Sequence, residues 1–316
     1  MPDPTIASST RPTAVLLVNA RARRAAGRDW LAAVERILGA AYRLEILYPG
    51  SADDGRALAT RAAAGGARLV IAAGGDGTVN AVAAGLAGSG VALGILPLGT
   101  ANDLARELGI PRQLDAAAQR LVDATPRPVD LGEVNGRVFC TVGGIALTAQ
   151  TALMVSRLKA TSAMTRGAAD LFGREVYRVA SALNLVGRRR VWQETEVDYT
   201  APDGSAGRIV GPSHTIFVAN HRTLGGGLVL PTGSRDDDGV LEIAVVPRRS
   251  RASLLLNFAR LAGGQPLPPG VLETVRAVHA EIRTERDDEF VADGELLASG
   301  RSFCVAVRPA ALRIVA

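Results

Sequence analysis

The stretch GGDGTVN, residues 74–80, follows an apolar run, RLVIAA (68–73). Gly74, Gly75 and Gly77 surround Asp76, and Thr78 and Asn80 complete the group. Such a loop lets backbone N–H groups approach an anion closely, as phosphate binding requires. It equally suits a plain tight turn, because Asp-Gly favours one. No G-x-G-x-x-G follows a strand, and the lysine of a Walker loop is missing, so neither of those nucleotide motifs applies. A second cluster, PLGTANDLAR (97–106), stands at the end of the next apolar run. Thr100 and Asn102 can hydrogen-bond a phosphate or a ribose, and Asp103 can face a cation or a basic side chain. Helix capping by Thr100 or Asn102 explains the same residue types. VNARARRAAG (18–27) adds Asn19, Arg21, Arg23 and Arg24 after the first apolar run, either as ligand contacts or as a solvated basic loop.

Acidic turns recur later in the chain. PVDLGEV puts Asp130 where the two halves meet, and RDDDGVLEI (235–243) and VADGELLA (291–298) carry Asp238, Asp293 and Glu295. A hairpin turn alone would account for each Asp-Gly pair. His214, His221 and His279 show no metal-ligand spacing and read as structural or surface residues. The arginine clusters GRRR (187–190) and PRRSR (247–251) read as solvated faces, or as an attraction for anionic lipid.

Positioning these groups requires a scaffold, and 316 residues leave room for two domains. Apolar strands alternate with helical patterns through the first 125 or so residues, which predicts a parallel sheet covered by helices. A helix is expected over 29–41 with Asp29 as its cap, and another after the glycine loop. Beyond PRPVDLGEV (126–134) most segments are strand-like, interrupted by one helical stretch at about 151 to 187. The fold class expected is α/β followed by β: a nucleotide-binding domain over 11–130 and an antiparallel sandwich-like or flattened-barrel domain over 131–307. The last segment, 308–316, reads as a short strand able to rejoin either sheet. The net charge is +5, almost all from arginine, with Lys159 the only lysine. That balance favours anionic partners, and it lacks the concentrated basic stripes of nucleic-acid proteins. Two cysteines make no disulfide framework, and the first ten residues lack signal-peptide character. The expected location is therefore the cytoplasm.

Five motifs occur in one order: GGDGTVN, PLGTANDLAR, VDLGEVNGRVF, VANHRTLGGGLVLPTGSRDDDGVLEI and VADGELL. Together they resemble the diacylglycerol kinase catalytic family, in its bacterial soluble lipid kinase branch, which is also similar to sphingosine kinases. The resemblance spans residues 13–316. GGDGT is shared with NAD kinases and phosphofructokinases, whereas GTANDLAR is far more specific. It implies an ATP-dependent lipid kinase using Mg²⁺, with a diacylglycerol-like or sphingoid acceptor. The nucleotide contacts implied are Asn19, Gly74, Gly75, Asp76, Gly77, Thr78, Asn80, Thr100 and Asn102. Asp76, Asp103 and Asp130 would form a magnesium-linked charge network, Asp293 would be the general base with Glu295 in support, and Asp238 would help hold a structural magnesium. Peripheral contact with an anionic membrane surface and a homodimeric assembly are the expected partners, with no nucleic acid. A kinase of another hydrophobic alcohol, or a nucleotide-binding regulator without transfer, are the alternative readings. The chain departs from the family pattern at Ala81, at NARARR (19–24) and at GGIALTA (143–149).

Overall fold

The computed structural model describes residues 11–19, 29–161, 192–224 and 228–316. Strands β1 (Thr13–Val18), β2 (Arg43–Leu47), β3 (Leu69–Gly74) and β4 (Ala92–Pro97) pair in parallel in the order β2-β1-β3-β4. β3 and β4 are buried along their whole length, which is why their sequences are continuous apolar runs rather than alternations. The helices between them are α1 (Trp30–Ala41), α2 (Ala52–Ala64) and α3 (Asp76–Leu86). α4 (Asp103–Glu107) and α5 (Leu114–Asp123) follow β4. The strand order reverses direction after β2. Right-handed crossovers then put α1 on one face of the sheet and α2 and α3 on the other. α1 packs against α5, and α2 against α3. The Ser51 hydroxyl caps α2 by accepting from Asp54 N at 3.1 Å. Asp29 stands ahead of α1 as expected, but its side chain makes no capping bond. α3 differs from the sequence expectation more usefully: it begins at Asp76, inside the glycine motif, so Gly77 and Thr78 lie in its first turn.

The second half runs through β5 (Arg127–Val134), β6 (Arg137–Phe139), β7 (Val142–Ala146), α6 (Leu147–Thr161), β8 (Gln193–Thr200) and β9 (Ala206–Ala219). Then come β10 (Thr223–Leu224), β11 (Leu228–Val229), β12 (Leu241–Pro247), α7 (Arg251–Ala262), β13 (Glu273–Ala277), β14 (His279–Ala292) and β15 (Glu295–Ile314). The remainder of the helical stretch expected up to residue 187 lies outside the described residues. β7, β9, β8 and β14 pair antiparallel in a closed circuit. Ile145, Val197, Ile216, Ile282, Phe290 and Phe303 fill its inside. Phe290 packs between Phe139 and Phe303, each pair of ring centroids 5.9 Å apart. None of the described helices is long and apolar enough to cross a membrane.

The sequence suggested two sheets and a short last strand able to rejoin either. The last segment does rejoin the parallel strands, beside β4, but it is not a separate strand, and the two sheets are one. FCVAVRP and ALRIVA are one strand, β15, kinked where its register with β5 shifts between Arg308 and Leu312. Its start pairs with β14, and its end pairs in parallel with β4. One hydrogen-bonded sheet of 13 strands therefore runs through both halves.

Asp130, on β5, fixes the kink. Its Oδ1 accepts from Ala310 N at 2.8 Å and its Oδ2 from Gly239 N at 2.7 Å. Its own N–H donates to Asp236 O at 2.7 Å. Ala310 has φ +49°, a left-handed conformation that a residue with a Cβ rarely adopts without such support. A buried carboxylate is tolerated because both oxygens are satisfied. Replacing Asp130 with Asn turns one acceptor into an NH₂ group facing an N–H. We expect the free energy of unfolding in urea to fall by about 1–3 kcal/mol.

Candidate active site

Two backbone loops meet at the carboxyl ends of β3 and β4. Gly75 and Gly99 pack directly on each other: a Cβ on Gly99 would lie 2.4 Å from Gly75 Cα. The second loop keeps its shape through Asn102, whose Oδ1 accepts from Gly99 N at 2.9 Å while its Nδ2 donates to Gly99 O at 2.6 Å. Asn102 has φ +49° and makes no capping bond from its side chain to α4, so the helix-cap expectation fails for it. Thr100 is exposed at the loop tip. The two loops are tied by Asp103 N, which donates to Asp76 Oδ1 at 2.6 Å. From β1, Asn19 Nδ2 donates to Thr78 Oγ1 at 3.0 Å, and Asn19 N donates to Ala73 O. The group thus gathers at the point where the strand order reverses between β1 and β3, where sheets of this type leave a crevice. Arg21, Arg23 and Arg24, and also Arg188 to Arg190, lie outside the described residues.

The D-G-E turn between β14 and β15 faces the same crevice. Asn80, on α3, donates its Nδ2 to the carbonyl of Asp293 at 3.2 Å. Asp293 has φ +54°. Its carboxylate accepts three protein hydrogen bonds: Cys140 N to Oδ2 at 2.6 Å, Thr141 N to Oδ1 at 2.9 Å, and the Thr141 hydroxyl to Oδ1. The residue keeps part of its surface in solvent, but the carboxyl group itself lies beneath Cys140 and Thr141. Burial pushes its pKa up to about 6; the donors from Thr141 and Cys140 pull the other way, and the Asp76 charge adds to the rise. Asp76 is raised too, chiefly by burial and against the pull of the Asp103 amide. Burial likewise raises Glu295, opposed by Arg56 and Arg137, and the Glu295 Oε1 lies 3.7 Å from where a Cβ on Gly77 would sit. The Cys140 thiol is held well above its usual range by burial and by the Asp293 and Asp76 charges, so it stays neutral.

Not every sequence-predicted residue joins this group. Asp76 and Asp103 meet, whereas both oxygens of Asp130 are taken by Gly239 and Ala310 in the kink. The Asp103 carboxylate is paired with Arg106. Asp238 is ion-paired with Arg276 at 2.5 Å, Asp237 with Arg235 and Asp236 with Arg127. Among the described residues no three acidic, histidine or cysteine side chains form a metal-holding cluster. The arginines of PRRSR are not a loose patch either: Arg248 stacks over Trp192 at 4.0 Å and Arg249 donates to Gly270 O. Thr141, Cys140, Arg56 and Arg137 were not singled out by the sequence. Thr141 lies 152 residues from Asp293, and only the pairing of β7 with β14 brings them together.

Comparison with known proteins gives the same outline. Residues 13–134 match the diacylglycerol kinase catalytic domain. Residues 161–316 match the YegS C-terminal NAD kinase beta sandwich-like domain. A Pseudomonas aeruginosa protein named "Probable lipid kinase YegS-like" is 34% identical over 306 residues, covering 95% of this chain and 93% of its own. A Bacillus subtilis diacylglycerol kinase is 30% identical over 231 residues, covering 72% and 71%. A crystal structure of a diacylglycerol kinase from Bacillus anthracis superposes with a TM-score of 0.70 at 23% identity, covering 96% of each chain, a likeness of fold.

The loop-on-loop contact is the most sensitive point of the crevice. Gly99→Ala drives a methyl group into the Gly75 backbone and the Asn102 side chain. We expect a loss of about 1–3 kcal/mol in unfolding free energy. Hydrogen exchange should speed up at residues 75–78 and 98–103, with the amides of β1 and β3 staying protected.

Proposed function

The chain belongs to the diacylglycerol kinase family, in its YegS-like branch, and on that premise we propose that it transfers the γ-phosphoryl group of ATP to a lipid hydroxyl. The observation that carries this reading is the juxtaposition of the N-terminal turns of α3 with the D-G-E turn, where Asn80 Nδ2 donates to the main-chain carbonyl of Asp293. A helix N-terminus after a glycine pair offers N–H donors and a positive dipole end to phosphate. Gly75 and Gly99 let the two loops present their backbones without side-chain obstruction. Asp293, partly protonated only near pH 6, is a competent proton acceptor at neutral pH. As the acceptor oxygen bonds to the γ-phosphorus, its proton passes to Asp293 and the bond to the bridging oxygen of ADP breaks. Mg²⁺ enters as part of the MgATP substrate, where phosphate oxygens and water supply most of its ligands. Glu295, steadied by Arg56 and Arg137, lies beside Gly77 and supports the placement of the transferring group. Most of the rate enhancement in such a transfer comes from alignment and charge placement.

The apolar, half-exposed helix α7, with Leu256 at 58% exposure and Arg260 in its last turn, supports peripheral contact with an anionic membrane surface as the route to the acceptor. Flotation with anionic vesicles should weaken as salt screens the charges. Equal flotation with neutral vesicles would remove the electrostatic part of this reading.

Asp293→Asn tests the chemistry. Asn tolerates the left-handed backbone, so the turn should persist. With the protein, MgATP and a broad lipid panel, the wild type should label at least one lipid. In the variant, turnover should drop by roughly 10²–10⁴-fold with ATP affinity nearly unchanged. Wild-type turnover should also be lost as the pH falls through about 6, because protonated Asp293 can no longer accept. Labelling of no lipid by folded protein sinks the lipid reading, and near-normal turnover of the variant removes Asp293 from the mechanism.

A further inference from the structure

We propose that Thr141 is a positioning residue for the transfer: it occupies Oδ1 of Asp293 with two donors and so makes Oδ2 the oxygen that takes the acceptor's proton. The inference rests on the reading of Asp293 as the general base.

A carboxylate oxygen has two lone pairs in the plane of the group. Oδ1 accepts from both the amide and the hydroxyl of Thr141, which uses both. Among the described residues Oδ2 accepts only from Cys140 N, at 2.6 Å, which leaves one of its lone pairs open. Thr141 is itself fixed. Its carbonyl accepts from Asn220 N at 2.9 Å and His221 N at 3.2 Å, and the preceding carbonyl, of Cys140, accepts from Asn220 Nδ2 at 2.9 Å. The threonine is buried, so its hydroxyl has Asp293 as the partner the structure provides. The opposite side of Asp293 is fixed through its carbonyl by Asn80. The carboxylate therefore cannot swing to exchange its two oxygens without breaking two bonds to Thr141. In the transfer, a lone pair of the acceptor oxygen forms the new bond to the γ-phosphorus, its proton goes to Oδ2 and the O–H electron pair stays on the oxygen, and the bond from the γ-phosphorus to the β,γ-bridging oxygen breaks, its electrons leaving with ADP. Thr141 gains and loses nothing in that step; it sets which lone pair is available and how readily that lone pair takes a proton.

The groups that face Asp293 are Asp76 from α3, the neutral Cys140 thiol ahead of β7, and, two residues along its own turn, Glu295 with Arg56 and Arg137 beyond it. A change at Thr141 leaves all of these in place, so a shift in the proton affinity of the base traces to the lost hydroxyl. Hydrogen bonds to the charged form keep a carboxyl acidic, and their removal raises its pKa.

The experiment is kcat/KM for the lipid acceptor, in saturating MgATP, over pH values from about 5 to 9, where the acid limb reports the base of the enzyme–MgATP complex before the lipid binds. Thr141→Val keeps the shape and drops the hydroxyl. Its acid limb should move up by about one pH unit, giving several-fold lower activity at pH 6.5 and a smaller deficit at pH 9. Thr141→Ser keeps the hydroxyl and should restore the wild-type limb. Thr141→Ala reads the same limb should the valine variant not fold. A hydroxyl-free variant whose acid limb coincides with wild type overturns the inference, as does a serine variant that shifts like valine. The two readings fail differently: near-normal turnover in Asp293→Asn topples both. A collapse in Asp293→Asn beside an unmoved limb in Thr141→Val topples only this one.

Discussion

The site depends on one costly arrangement, a carboxylate enclosed by protein on a left-handed backbone. Enclosing the Asp293 charge is unfavourable by several kcal/mol unless donors surround it. The φ of +54° adds roughly 1–2 kcal/mol more. Three donors from two consecutive residues, Cys140 and Thr141, offset the first cost. The hairpin between β14 and β15 and the Asn80 bond to its carbonyl hold the second in place. The donors are pinned in turn by Asn220, which is fully buried and whose amide reaches the carbonyls of both Asp130 and Cys140. Asp130 then reaches the kink of β15. A chain of buried polar contacts thus connects the Asp293 carboxylate to the place where the sheet bends. The Nδ2 group of Asn220 is fully used in that chain, whereas its buried Oδ1 has no hydrogen-bond partner among the described residues.

The two glycine loops answer a different demand. Their glycines read equally well as donors to phosphate and as turn formers, and the structure gives a third reason for two of them. Gly75 and Gly99 touch, so neither loop could take its path if the other carried side chains. The close approach and the accessible N–H groups are not alternatives. Loops stripped of side chains to pack together are also loops whose backbones a ligand can reach.

Much of this was legible in the residues. Continuous apolar runs marked β3 and β4, and loops at the ends of neighbouring parallel strands had to share a crevice. The start of α3 at Asp76 was less legible, because glycine and threonine weigh against a helix interior, while at a first turn their cost is small and the Asp76 charge suits the dipole. β15 read as two strands because Pro309 breaks the pattern; a proline is tolerated there since the ladder to β5 is already interrupted by the kink. Thr141 could not be read at all. Its role comes from a cross-strand contact over 152 residues, and nothing in FCTVGG announces it. The position of Asp130 between the halves was clear, and the family resemblance implied a charge network for it, while the two backbone N–H groups it accepts from carry no signature in sequence.

A strand that belongs to both halves also limits how such a protein can be recombined. β15 leaves the D-G-E turn, passes β5 and ends beside β4, at the edge of the four parallel strands. The C-terminal half is therefore not a cassette that could be exchanged at the boundary near residue 134. A graft would bring its own final strand and have to match a foreign β4, a foreign β5 and the carboxylate that clamps the kink. Changes within the second half leave those matches intact, whereas exchanging it whole breaks all of them at once.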